Sequence, residues 1–123
     1  MEAVTLWREL ATTPDEHRWA DLPGLLHPEF RCTLVHTGEV FGRDDWVAFN
    51  AGYPGFQRMI VEEAIGAGDR AAVRARITGL GEDGAEQVFG LASFLTERDG
   101  VIGELTEVWT DIGATPPPGT RGT

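Results

Sequence analysis

Two residues of this chain combine titratable chemistry with an apolar setting, Glu107 and His36. In "RDGVIGELTEVWTD" (98–111) strand alternation puts Leu105, Glu107 and Trp109 on one face and Glu104, Thr106 and Val108 on the other. A carboxyl between a leucine and a tryptophan is partly desolvated if its face is the inner one, which raises its pKa toward the range useful for proton transfer. The competing reading is an acid paired with an arginine at the edge of the fold. His36 ends the stretch "FRCTLVH", on the same strand face as Cys32 and Leu34. There it acts either as a base in an enclosed space or as a hydrogen-bonded histidine at a strand end. Tyr53 lies one helical turn beyond Phe49 and just before Pro54, which places its hydroxyl at a pocket rim or packs its ring in the core. His17, His27 and His36 sit in three different local settings without a partner at ligand spacing, so no metal site is predicted.

These side chains must be held by elements that the 123 residues spell out in order. The length suits a single domain that buries about two-thirds of its unfolded surface. Helices are predicted over about 2–12 and again through "PDEHRWADLPGLL", where Pro14 marks a helix start and Trp19, Leu22, Leu25 and Leu26 form an apolar stripe. "FRCTLVH" reads as a strand and "TGEVFG" as a turn into a second, short one. Trp46, Phe49 and Tyr53 recur at helical spacing in "RDDWVAFNAGY", behind Asp44 and Asp45 at the positive end of that helix. Four strands follow, near 57–67, 70–80, 86–97 and 101–111, separated by the turn formers of "GAGDR", "GLGEDG" and "ERDG". Arg74 and Arg76 stand across the first of these hairpins from Glu62 or Glu63, as cross-strand ion pairs would. The ending, residues 112–123, contains three consecutive prolines and is predicted to be a tail outside the domain of residues 1–111.

Helices first and an antiparallel meander afterwards imply an α+β fold. Both faces of the last strand mix apolar and acidic residues, which suits a concave face around a pocket and a partly covered convex face. Ten Lys and Arg against twenty Asp and Glu leave a net charge of −10, which argues against nucleic acid and anionic membranes as partners. With Cys32 as its lone cysteine the chain makes no internal disulfide, and a cytoplasmic location is expected. No apolar run approaches the roughly 20 residues of a membrane span.

The order of elements, with "LLHPEF" before the first strand, "GEVFGRDDWVAF" entering the third helix and the closing "DGVIGELTEVW", resembles the nuclear transport factor 2-like superfamily, within it the SnoaL-like and ketosteroid-isomerase-like proteins. The resemblance covers about residues 4–111. It implies a cone-shaped domain, a curved mixed or antiparallel sheet wrapped around the N-terminal helices with an internal pocket. It also implies inward positions for Leu105 and Trp109, and hence for Glu107, with His36 near the place of the isomerases' general base. The isomerases' oxyanion donors fall near Leu6 or Trp7 and near Ala92, which do not supply a hydroxyl and an acid, so ketosteroid isomerisation itself is not expected.

The expected site is therefore His36 and Glu107 as acid/base groups, with Trp109, Leu105, Phe94, Leu34, Tyr53 and Trp19 around a small apolar ligand, neutral or cationic. Phe94 enters through its shared parity with Ala92. The expected function is binding of such a molecule, with isomerase, cyclase or hydrolase chemistry. The alternative is a non-catalytic homodimeric ligand-binding or accessory domain. No cofactor is implied, and a homodimer through the outer face of the sheet is expected.

Overall fold

The computed structural model describes residues 2–113, 118 and 119. Helix α1 (Ala3–Asp15) buries one stripe, Ala3, Leu6, Trp7, Leu10, Ala11 and Pro14, against the sheet. Pro14 does not start a second helix as predicted. It sits in the last turn of α1, where the following carbonyl bonds close the helix: His17 N–H donates to Pro14 O and Arg18 N–H to Thr13 O, with His17 in the left-handed region (φ 56°). The next segment, Trp19–Leu25, is a 3₁₀ turn, because Pro23 removes a donor that an α-helix would need.

The strands are β1 (Leu26–Leu34), β2 (Val40–Gly42), β3 (Phe56–Ala67), β4 (Arg70–Leu80), β5 (Glu86–Arg98) and β6 (Val101–Asp111), with helix α2 (Arg43–Ala51) between β2 and β3. They form one sheet in the order β2-β1-β6-β5-β4-β3, antiparallel throughout except where β1 runs parallel to β6. The sheet is mixed, curved and unclosed. Its bulges lie in β3, which carries an extra residue at Gln57 and again at Glu62, and in β6 at Gly103. Gly103 has no alternative there, since a Cβ would stand 2.8 Å from that of Arg98.

Odd-numbered residues of β4 and β5 face the helices: Ala71, Val73, Ala75, Ile77, Leu91, Ser93 and Leu95 are buried, and Arg74, Arg76 and Phe94 are exposed. The same parity holds in β6 from Leu105 onward. It breaks below Gly103, whose bulge turns Ile102 into the core at 0% exposure, a residue that unbroken alternation assigns to the outer face. The predicted ion pairs span β3 and β4: Arg74 reaches Glu62 at 3.1 Å and Glu63 at 3.7 Å, and Arg76 reaches Glu62 at 3.4 Å. Of the tail expected at 112–123, residues 114–117 and 120–123 lie outside the described residues.

Candidate functional site

Curvature leaves a cavity of about 450 Å³ between the helices and the inner face of the sheet, within the size range of small-molecule pockets. Its deep wall contains the buried residues Trp7, Leu10, Leu22, Leu34, Trp46, Leu91, Ser93 and Glu107. Towards the mouth stand Trp19, Phe56, Phe89 and Trp109, then the exposed His36, Phe49 and Tyr53. Phe49 and Tyr53 meet edge to face at 5.8 Å, and so do Trp19 and Phe56. Among the described residues of the lining there is neither lysine nor arginine.

Glu107 is 7% exposed and is the one carboxyl of the deep wall. Its register is set on both sides, by pairing with Ser93 of β5 and with Leu34 of β1, and Val35 N–H donates to its carbonyl at 3.0 Å. The side chain is held through one oxygen. Oε1 accepts from Cys32 Sγ at 3.3 Å and from Trp46 Nε1 at 3.4 Å, while Oε2 has no partner among the described residues. Burial pushes this carboxyl well up from the ordinary glutamate value, and the two hydrogen bonds oppose the shift without cancelling it. Both donors sit on Oε1, so Oε2 is the oxygen left free to carry the proton of the acid form or to accept one in the carboxylate form.

Cys32 is a donor to this acid rather than a nucleophile, since burial and the neighbouring carboxyl raise its pKa beyond the reach of thiolate chemistry. Two further polar atoms of the deep wall, Trp7 Nε1 and Ser93 Oγ, are buried without a partner among the described residues.

The structure brings Glu107, Trp109, Leu34, Tyr53 and Trp19 to one cavity. His36 reaches only its mouth. The strand stops at Leu34, and His36 lies in the turn beyond, exposed and without a hydrogen bond to Glu107. Leu105 faces inward but is packed in the core beneath the cavity, opposite Cys32 and Leu95. Phe94, expected in the lining, is a correction. It is 52% exposed on the outer face, because it shares the parity of Ala92, and in β5 the inward residues are the odd-numbered ones. Sequence reasoning missed Ser93, Trp46 and Trp7 as polar members of the site. The signal for Ser93 was one hydroxyl among the apolar odd positions Leu91 and Leu95; indole nitrogens leave no such mark. No group of three or more His, Cys, Asp or Glu is placed to hold a metal ion among the described residues.

A sequence profile of the SnoaL-like domain matches residues 7–105. Among solved structures, a protein provisionally named a ketosteroid isomerase, from Kribbella flavida DSM 17836, superposes with a TM-score of 0.80 at 28% identity, over 97% of this chain and 85% of that one. A protein of ketosteroid isomerase-like fold from Catenulispora acidiphila DSM 44928, solved in complex with trimethylamine, gives a TM-score of 0.73 at 16% identity, over 83% and 82% of the two chains. A provisionally assigned SnoaL-like polyketide cyclase from Jannaschia sp. CCS1 gives 0.70 at 23% identity, over 91% and 94%. The last two show the fold alone. No protein of curated function matches the chain.

Proposed function

The chain belongs to the SnoaL-like domain family, of the nuclear transport factor 2-like superfamily, and from that premise we propose that it binds a small, largely apolar molecule and moves a proton within it. The observation that carries this reading is Glu107, a buried carboxyl on the wall of an apolar cavity, clamped through Oε1 and free at Oε2. In its carboxylate form Glu107 removes a proton from a carbon beside an electron-withdrawing group. As the acid it returns that proton to another atom of the same molecule, so the net change is an isomerisation or a proton-driven ring closure. A pKa raised toward the working pH suits both halves of that exchange. The names of the similar proteins, an isomerase and a cyclase, fit this class.

His36 is left out of the proton path by its position at the mouth. One acid whose titratable hydrogen-bond partner is a buried thiol, held protonated, also favours the alternative reading, a pocket that binds its ligand without chemistry. The same experiment separates them: incubation of a panel of small cyclic ketones in deuterated water, with carbon-bound exchange followed by NMR. Exchange faster than in buffer, lost in Glu107→Gln, is the expected result. Binding without exchange would leave the non-catalytic reading in its place.

We also propose that two copies pair through the outer face of the sheet, inside a reducing compartment that suits a free buried thiol. The support is a row that crosses all six strands in register, Ile65, Ala72, Phe94, Thr106, Thr33 and Val40, with Val108 beside it. Ile65, Phe94, Val40 and Val108 are exposed by 38% or more.

A further inference from the structure

We propose that the cavity takes an alkylated ammonium group, its charge set against the carboxylate of Glu107 and the rings of the surrounding tryptophans. This rests on the reading of the cavity as a ligand pocket and adds the charge of the ligand, which the sequence leaves open between neutral and cationic. All four tryptophans of the chain and its single tyrosine line this one cavity, Trp7, Trp19, Trp46, Trp109 and Tyr53. Indole and phenol rings are among the side chains whose faces attract a cation most. Ring surfaces are offered in more than one orientation, since both rings of Trp19–Phe56 and of Phe89–Trp109 line the cavity and are inclined to each other at 70° and 76°. The two carboxyls of the described lining are Glu107 and Asp111, and the described arginines all lie outside it.

Glu107 supplies the counter-charge. Cys32 and Trp46 both donate to Oε1, which leaves Oε2 as the oxygen without a partner among the described residues. Trp109 stands two positions along the same inward face of β6, about 7 Å away along the strand, so a head beside the carboxyl is within reach of the indole. An anion would meet two carboxyls with no arginine in the described lining to offset them. A primary ammonium brings three N–H donors into an apolar enclosure, whereas alkyl groups spread the charge over a surface that rings can meet. A neutral body would use the rings but not the carboxyl. Burial favours the acid form of Glu107 and a nearby cation favours its carboxylate, so binding expels a proton at pH values where the free site is the acid. The other titratable groups around it are Cys32 on β1, held protonated, and the exposed His36, Tyr53 and Asp111 of the lining.

The test uses a matched pair on the intact protein, trans-4-(trimethylammonio)cyclohexanol and trans-4-tert-butylcyclohexanol, which differ by a cationic nitrogen in place of carbon. Calorimetry between about pH 5 and about pH 9, repeated in buffers of different ionisation enthalpy, reads both the affinity and the protons released. The cation is expected to bind about tenfold more tightly than the isostere at the alkaline end, with the advantage shrinking as pH falls. Proton release should accompany the cation and not the isostere. Glu107→Gln, with no carboxyl to ionise, should abolish that release and lower cation affinity several-fold while the isostere binds as before. Trp109→Leu, apolar but without a ring, should likewise weaken the cation alone. Retained isostere binding shows in both variants that the cavity is intact. Equal binding of the two probes, or a preference for the neutral one, would overturn the cation site and leave the pocket reading in place. Failure of both to bind would remove the two together. A cation preference without proton release, unchanged in Glu107→Gln, would overturn the assignment of the counter-charge.

Discussion

Glu107 ties the site's chemistry to the stability of the fold. Its folded-state pKa lies above the unfolded value near 4.5, so between those two values the native state holds more protons than the unfolded chain. The contribution is complete below the unfolded pKa and is lost as pH rises through the folded one, at about 1.4 kcal/mol per pH unit crossed. Glu107→Gln should remove that slope: its amide oxygen can still accept from Cys32 and Trp46, and no charge is buried. Urea unfolding from acid to mildly alkaline pH is expected to give a falling profile for the wild type and a flat one for the variant, with the variant at least as stable at the alkaline end. Parallel profiles would show an acid that is not desolvated. Cys32, fully buried against the same carboxyl, should resist iodoacetamide at about pH 8 in the native state and react once urea unfolds the chain.

Among the elements, the junction between α2 and β3 sets the mouth of the cavity. Gly55 has φ +78°, and a Cβ there would collide with the carbonyl oxygen of Leu80 at the end of β4. Leu80 N–H also donates to Gly55 O at 2.8 Å, so the two strand ends are locked face to face at the rim. Gly55→Ala should therefore destabilise by about 2 kcal/mol and lower Tm by roughly 8 °C, through both the left-handed backbone and the clash. Gly24→Ala, with open space around it and no positive φ, is the control and should leave Tm nearly unchanged in the same thermal melts. A harmless Gly55→Ala would mean that β3 and β4 can separate at this end. The mouth would then be adjustable rather than preset.

For the whole molecule the proposed dimer makes two linked expectations. Val108→Asp, on an exposed outer position, should leave the fold intact and convert the species seen in sedimentation velocity from dimer to monomer. Each copy carries a net charge of −10, so pairing also works against like-charge repulsion. Added sodium chloride should tighten the dimer by screening, whereas an interface held by cross-copy ion pairs would loosen. A wild type that sediments as a monomer at every salt concentration would remove the dimer. The cavity and its chemistry lie on the opposite face of the sheet and would be untouched by that result. No helix of the described residues is long and apolar enough to cross a membrane.

Local rules were enough for the first and third helices, the strands in their order, the four-strand meander and the division of β6 into one face with Glu107 and Trp109 and another with Glu104 and Thr106, but not for the segment after Pro14, which closes α1 instead of starting a helix. Period-two alternation and turn-forming residues act over a few positions, so they are present in any short window of the chain. They do not say which face is inside. That choice depends on where α1 and α2 lie, and it sent Phe94 out and Ser93 in. The bulge at Gly103 brought Ile102 into the core, and the early end of β1 carried His36 to the mouth. The clamp on Glu107 joins residues 75 and 61 positions apart in the chain, Cys32 and Trp46. Alternation could nominate the acid, but only the packing of helices on a curved sheet could surround it with its two donors.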